Sequence, residues 1–245
     1  MSIKCGKDYI YLVWKEIKTR RQYVVGQLSK NGQFEFSYGF EVKEAIEKGF
    51  KLLISFEDID KIYKSDILFP VFSSRLPDKK RSGIDKILLK YGMEEYDDYK
   101  LLKKSGARLP IDNLEFIDPI LDENEDEVKR IFYLAGPRHY MGCEGVDCAK
   151  SVDLNIGENL QLVLEPENCY DKNAIKIVNN DNVHIGYIPR YHSEGIISLI
   201  NKGYEYDCDA YEVQKNNKCN ECVKIQLEMK RPGFDNYQSN LSSII

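Results

Sequence analysis

The sequence is short of the features that announce most molecular classes. No apolar run approaches the roughly 18 to 20 residues that a bilayer-spanning helix needs, so no membrane partner is expected. Met1-Ser2-Ile3-Lys4-Cys5 leads straight into charge, without the apolar stretch and small-residue cleavage site of a secretory leader, and a cytoplasmic location is expected. The seven cysteines are odd in number and follow no framework spacing, which speaks for free thiols rather than disulfides. Internal repeats and low-complexity tracts are absent. So are a glycine-rich phosphate loop, a His-Arg-Asp catalytic loop and an Asp-Phe-Gly metal site. The three histidines, His139, His184 and His192, have no serine or cysteine nucleophile motif beside them. The one tempting acid/base set is Glu165, Asp171 and His184, and spacing alone does not make it a site. No enzymatic activity and no cofactor are expected. The net charge of −5 is the wrong sign for a protein that coats duplex DNA by displacing counterions, but it leaves room for a small local site.

What the chain does hold points to two domains. Length is sufficient, since 245 residues can bury two modest cores. The stretch from Asp118 to Lys129 is acidic and poor in aromatics, and is read as a linker. The expected division is residues 1–118, a linker at 119–130, a second domain at 131–232 and a frayed tail at 233–245. In the first domain, β-branched and aromatic residues predict strands at Tyr9 to Trp14 and Tyr23 to Leu28, with Asn31-Gly32 turning the second into Phe34-Glu35-Phe36. Helical spacing marks Glu41 to Phe50, Ile84 to Tyr91 and Tyr96 to Lys104, the last closed by Ser105-Gly106. In the second domain, strands are expected at 131–135, 160–164, 174–178, 184–188, 204–213 and 223–229, with one helix at about Tyr191 to Lys202. Asn179-Asn180-Asp181-Asn182 is turn material. That order suggests a small barrel, and the overall class is α+β.

The most specific segment runs from Leu164 through Asn168-Cys169-Tyr170-Asp171-Lys172-Asn173-Ala174 to Ile177, followed by His184-Ile185-Gly186-Tyr187-Ile188-Pro189-Arg190. With Gly136-Pro137-Arg138-His139-Tyr140-Met141-Gly142 upstream, it resembles the HIRAN domain over about residues 131–231. The resemblance implies an OB-like β-barrel with one helix, which binds single-stranded DNA at its 3′ end. By position, it implies that Arg138 grips backbone phosphate through its guanidinium fork. Asp171 would accept a hydrogen bond from a terminal 3′-hydroxyl and repel an internal phosphate. Tyr170 and Tyr140 or His139 would stack on the last bases. Asn168 would meet a base edge or backbone, with Lys172 alongside. The plainer reading is that Asp171 to Ala174 is a turn feeding a strand, with Asn173 capping it. Gly136, Gly142 and Gly186 read as backbone necessities.

Cys219-Asn220-Glu221-Cys222 has zinc-knuckle spacing, and Cys143 with Cys148 could complete a four-thiolate site, against free thiols in a turn. In the first half, Leu12-Val13-Trp14, Val25-Gly26-Gln27-Leu28, Phe34 to Tyr38 and Leu68 to Asp78 resemble the N-terminal subdomain of HipA-type kinases over about residues 9–118. That subdomain is not the part that transfers phosphate. Arg75 with Lys79-Lys80-Arg81 is a basic cluster that could touch phosphate or simply be a solvated turn, and Trp14 is read as core. The expected function is a non-catalytic nucleic-acid-binding protein whose first domain recruits a protein partner. The alternative is a regulatory module of a HipA-type kinase toxin system without DNA binding.

Overall fold

Runs of β-branched and aromatic residues with alternating burial dominate both halves of the chain. The computed structural model describes residues 8–121, 126–143, 153–214 and 221–233. Two compact units emerge, residues 1–119 and 120–245.

In the first unit, β1 (Tyr9–Lys15), β2 (Gln22–Asn31) and β3 (Gln33–Tyr38) form an antiparallel meander. Gly32, at φ +83°, makes the expected hairpin turn between β2 and β3. Helix α1 (Val42–Glu47), β4 (Tyr63–Ser65), α2 (Pro70–Ser73), α3 (Ile84–Lys90), α4 (Asp98–Ser105) and β5 (Leu114–Ile117) follow. The sheet order is β4-β3-β2-β1-β5. Asp97 caps α4 by accepting the Lys100 N–H at 2.8 Å, and Gly106 ends it in the left-handed region. The short elements β4, β5 and α2 lie beyond the sequence reading, because three or four residues carry too little periodicity to be seen.

A phenylalanine cluster fills this unit: Phe36, Phe56, Phe72 and Phe116 are nearly inaccessible, with ring centroids 4.4 to 5.5 Å apart in successive contacts. Trp14 packs beside Tyr23 and Phe50 as core, in agreement with the sequence. Arg75 departs from the basic cluster read there. Its side chain is only 7% exposed, and it donates to Asp112 and to the carbonyls of Ala107 and Leu114. The guanidinium fork is spent on holding the chain before β5 and is turned away from solvent.

In the second unit, β6 (Glu127–Tyr133) begins four residues before the expected Ile131, so part of the acidic stretch is strand. Its Val128 is buried against the core, and pairing with the last strand outweighs the local acidity. A single helical turn, α5 (Pro137–Tyr140), precedes β7 (Gln161–Leu164), β8 (Ile175–Val178) and β9 (His184–Tyr187). Helix α6 (Arg190–Asn201) leads to β10 (Glu205–Val213) and β11 (Val223–Lys230). Two antiparallel sheets result, β10-β11-β6 and β7-β8-β9. They meet through isolated bridges at Ala135↔Tyr187 and Asn159↔Asp209. A continuous hydrogen-bonded wall closing the expected barrel is not seen among the described residues. At one seam the chain turns away directly after the bridge, with Gly136 at φ +68°.

Helix α6 buries His192, Gly195, Ile196 and Leu199, the i, i+3, i+4, i+7 stripe of an amphipathic helix. A Cβ on Gly195 would come within 1.8 Å of the Ile120 carbonyl oxygen, so only glycine allows this approach. Ile120 is itself core, and its N–H donates to His192 Nδ1 at 3.2 Å. Among the described residues no helix is long and apolar enough to cross a membrane.

Burial, with Arg130 nearby, pushes the His192 pKa down to about 3 from its ordinary 6.5. The imidazole is therefore neutral in the fold. Below pH 6.5 the unfolded chain gains a proton that the folded one refuses, so stability falls with pH until the folded ring titrates near 3. Each pH unit in that window should cost about 1.4 kcal/mol. Chemical denaturation of the second unit between pH 7 and pH 4 should show this slope. His192→Asn, which keeps an acceptor for the Ile120 N–H, should flatten it.

Candidate functional site

Three segments distant in sequence meet on the outer side of the β7-β8-β9 sheet. The organising feature is an irregularity in β9. Val178 pairs with His184, but Ile177 pairs with Gly186, leaving Ile185 as the extra residue of a bulge. Strict alternation would put His184 and Tyr187 on opposite faces, whereas the bulge brings their rings 4.8 Å apart. Gly186 makes it possible: at φ +154°, a Cβ would lie 2.7 Å from Leu134 Cγ and 2.8 Å from the Ala135 oxygen. Reading Gly186 as a backbone necessity agrees with this.

Ala135 and Tyr187 exchange two backbone hydrogen bonds of 2.9 Å. The turn at Gly136 and the single turn of α5 then fold Tyr140 back over β9. The Tyr140 ring stacks on His184, with centroids 3.9 Å apart and planes 23° from parallel, and stands 74° to Tyr187 at 5.3 Å. His139 is exposed, its ring 6.3 Å from that of Tyr140. Arg138 lies on the same turn, half-buried, with no side-chain partner among the described residues.

Glu165 is the hub beneath these rings. It accepts from Tyr187 Oη at 2.9 Å and Asn168 Nδ2 at 3.0 Å, and pairs with Lys176 at 3.2 Å. Burial acts to raise its pKa, but these three donors outweigh it and hold the carboxyl below its usual range. Burial and the neighbouring carboxylate together push the Tyr187 phenol well above its usual range, so it stays a donor.

The Asn168 to Asn173 segment is a hydrogen-bonded turn. Asn168 Oδ1 accepts from the N–H groups of Tyr170 and Asp171 at 3.0 and 3.2 Å. With Nδ2 also engaged by Glu165, the Asn168 side chain is largely used in shaping the turn. Asp171 Oδ1 accepts the Asn173 N–H at 2.9 Å, so Asp171 caps this turn and Asn173 is the residue capped. Its other oxygen pairs with Arg190 Nε at 2.8 Å, and Arg190 also donates to the Tyr170 carbonyl at 3.2 Å. Tyr170 is 89% exposed, and Lys172 is exposed beside it.

A connected path therefore runs Tyr140, His184, Tyr187, Glu165, Asn168, Asp171, Arg190. It gathers Tyr140, Asn168 and Asp171 from the sequence expectation, and places Arg138, His139, Tyr170 and Lys172 on the α5 turn and the Asn168 turn at its two ends. His184, Tyr187, Glu165, Lys176 and Arg190 were not read as site members. The available signal was the glycine between His184 and Tyr187, a mark of a strand irregularity that could bring both rings to one side. Of the acid/base set, His184 Nε2 faces the Gly186 carbonyl oxygen at 3.1 Å, Glu165 accepts from Tyr187, and Asp171 pairs with Arg190.

Cys143 and Cys222 lie beside the second core, while Cys148 and Cys219 fall outside the described residues. Among the described residues no group of three or more His, Cys, Asp and Glu gathers as metal ligands would.

Comparison with known proteins gives the family. Residues 109–229 match the HIRAN domain, starting ahead of the Ile131 read from the sequence, and residues 19–110 match the HipA N-terminal domain. A Fanconi-associated nuclease 1 homolog from Arabidopsis thaliana is 30% identical over 86 residues, 35% of this chain. The matched part of this chain spans only 10% of that relative's length. Among solved structures, the HIRAN domain of human HLTF is 22% identical, covering 48% of this chain and 88% of that one at a TM-score of 0.31. The HLTF HIRAN domain in its DNA-bound conformation is 23% identical, covering 44% and 80% at a TM-score of 0.28. A protein from Lactobacillus plantarum is 19% identical, covering 43% and 99% at a TM-score of 0.32. The chain thus carries a HIRAN domain at residues 109–229, preceded by a HipA N-terminal domain at residues 19–110.

Proposed function

We propose that this protein binds nucleic acid without catalysis, and that its HIRAN domain receives the 3′ end of a single DNA strand. The observation that carries the reading is the junction of the α5 turn with the Asn168 turn through Tyr187 and Glu165. In this reading the junction offers aromatic faces, a carboxylate, and on the α5 turn a cation, Arg138, with no side-chain partner among the described residues. Aromatic rings accept any base as a stacking partner, and a guanidinium suits two phosphate oxygens. A carboxylate has about four acceptor positions. Asp171 commits one to Asn173 and one to Arg190, leaving others for a terminal hydroxyl. In support of a binding role, Glu165, Asp171 and His184 each hold a neighbouring group in place, through Tyr187, Arg190 and the Gly186 carbonyl respectively.

An oligonucleotide with a free 3′-hydroxyl should bind several-fold more tightly than its 3′-phosphorylated counterpart in fluorescence anisotropy, because the added dianion faces Asp171. Equal affinities would remove end recognition from the proposal. Arg138→Ala and Tyr170→Ala should each weaken binding by about tenfold, the scale of one lost stacking or charge-assisted contact, with unchanged thermal melts. Parent-like binding by both variants would defeat the site assignment.

We further propose that the first unit serves as a protein-interaction module. The match of residues 19–110 to the HipA N-terminal domain favours this reading. The rival form is a regulator of a HipA-type kinase toxin that does not engage DNA. Pull-down of such a kinase with the full chain should survive nuclease treatment. If the kinase is captured while no oligonucleotide binds, the rival form stands alone.

A further inference from the structure

The sequence leaves His184 as an ordinary strand residue, and nothing in the proposed contacts uses it. Its geometry gives it a task. The His184 and Tyr140 centroids are 3.9 Å apart, too close for a third ring to enter between them. Tyr187 is 4.8 Å from His184 and 5.3 Å from Tyr140. Those three separations put Tyr187 abreast of the stacked pair, not on the far face of Tyr140. Tyr140 nevertheless keeps 39% of its surface exposed, and among the described residues no second ring lies parallel to it, Tyr187 and His139 both standing edge-on.

His184 is anchored independently of Tyr140, through its Nε2 at 3.1 Å from the Gly186 carbonyl oxygen. That contact requires Nε2 to carry a proton and donate. Burial, helped by Lys176 and opposed by Gly186 and Glu165, holds its pKa below 6.5. At neutral pH the ring is therefore uncharged and acts as an aromatic surface.

Resting on the nucleic-acid reading above, we propose that His184 is a positioning residue: it fills one face of Tyr140 and fixes that ring, so that the terminal base of a single strand stacks as a third layer on the opposite face. Tyr140 sits on a helix of only one turn, which gives its side chain little restraint of its own. The His184 ring supplies that restraint before the ligand arrives, removing an ordering cost from binding.

The test uses the full chain and a single-stranded oligonucleotide with a free 3′-hydroxyl and 2-aminopurine as its terminal base. Parent protein should quench the 2-aminopurine on binding. His184→Ala should lose most of the quenching and bind about tenfold more weakly, and His184→Phe, which retains a stacking ring, should restore both. A purely structural role would lower thermal stability without this selective loss of quenching. In the free protein, the His184 ring protons should be shifted upfield by Tyr140, and Tyr140→Leu should abolish the shift. Binding and quenching by His184→Ala at parental levels, or the absence of the upfield shift, would overturn this inference alone. Failure of the parent to bind any oligonucleotide would overturn the nucleic-acid reading and this inference together.

Discussion

Two backbone hydrogen bonds between Ala135 and Tyr187, each 2.9 Å, place every other part of the candidate site. They can form only because Gly186 has no side chain where Leu134 and the Ala135 carbonyl press against it. From that join the chain turns at Gly136, and Tyr140 comes down on His184. From the same strand, Tyr187 reaches Glu165, and Glu165 in turn secures the Asn168 turn. A local steric allowance at one glycine is thereby converted into the relative placement of two loops separated by about thirty residues of chain.

Much of this was legible in the residues themselves. Alternating apolar patterns located the long strands and α6, and the Asn168 to Ala174 segment marked the motif that the family match bears out. The members not read as part of the binding site owe their places to contacts without a local pattern. His184 and Tyr187 are three apart, a spacing that places side chains on opposite faces of any regular strand, and only the bulge at Ile185 overrides this. Arg190 meets Asp171 across nineteen positions, a tertiary contact with no local signature. Arg75 misled for the converse reason. Its sequence neighbours are basic and exposed, yet Asp112 and two carbonyls draw it inward from positions more than thirty residues away.

The same logic explains the start of the second unit. Ile120 looks unremarkable beside an acidic stretch, but the bare backbone face of Gly195 and the Nδ1 acceptor of His192 both need a partner there. Helix α6 thus organises residues far upstream of itself, and His192 makes that organisation sensitive to acid.

The pairing of charges within the site has one further bearing. Glu165 is matched by Lys176 and Asp171 by Arg190, so these four residues sum to nearly no net charge. A strand held there would meet unmatched positive charge mainly from Arg138 and Lys172 and would displace few condensed cations on arrival. Its hold would come from ring contact and directed donors, and would change only shallowly with ionic strength.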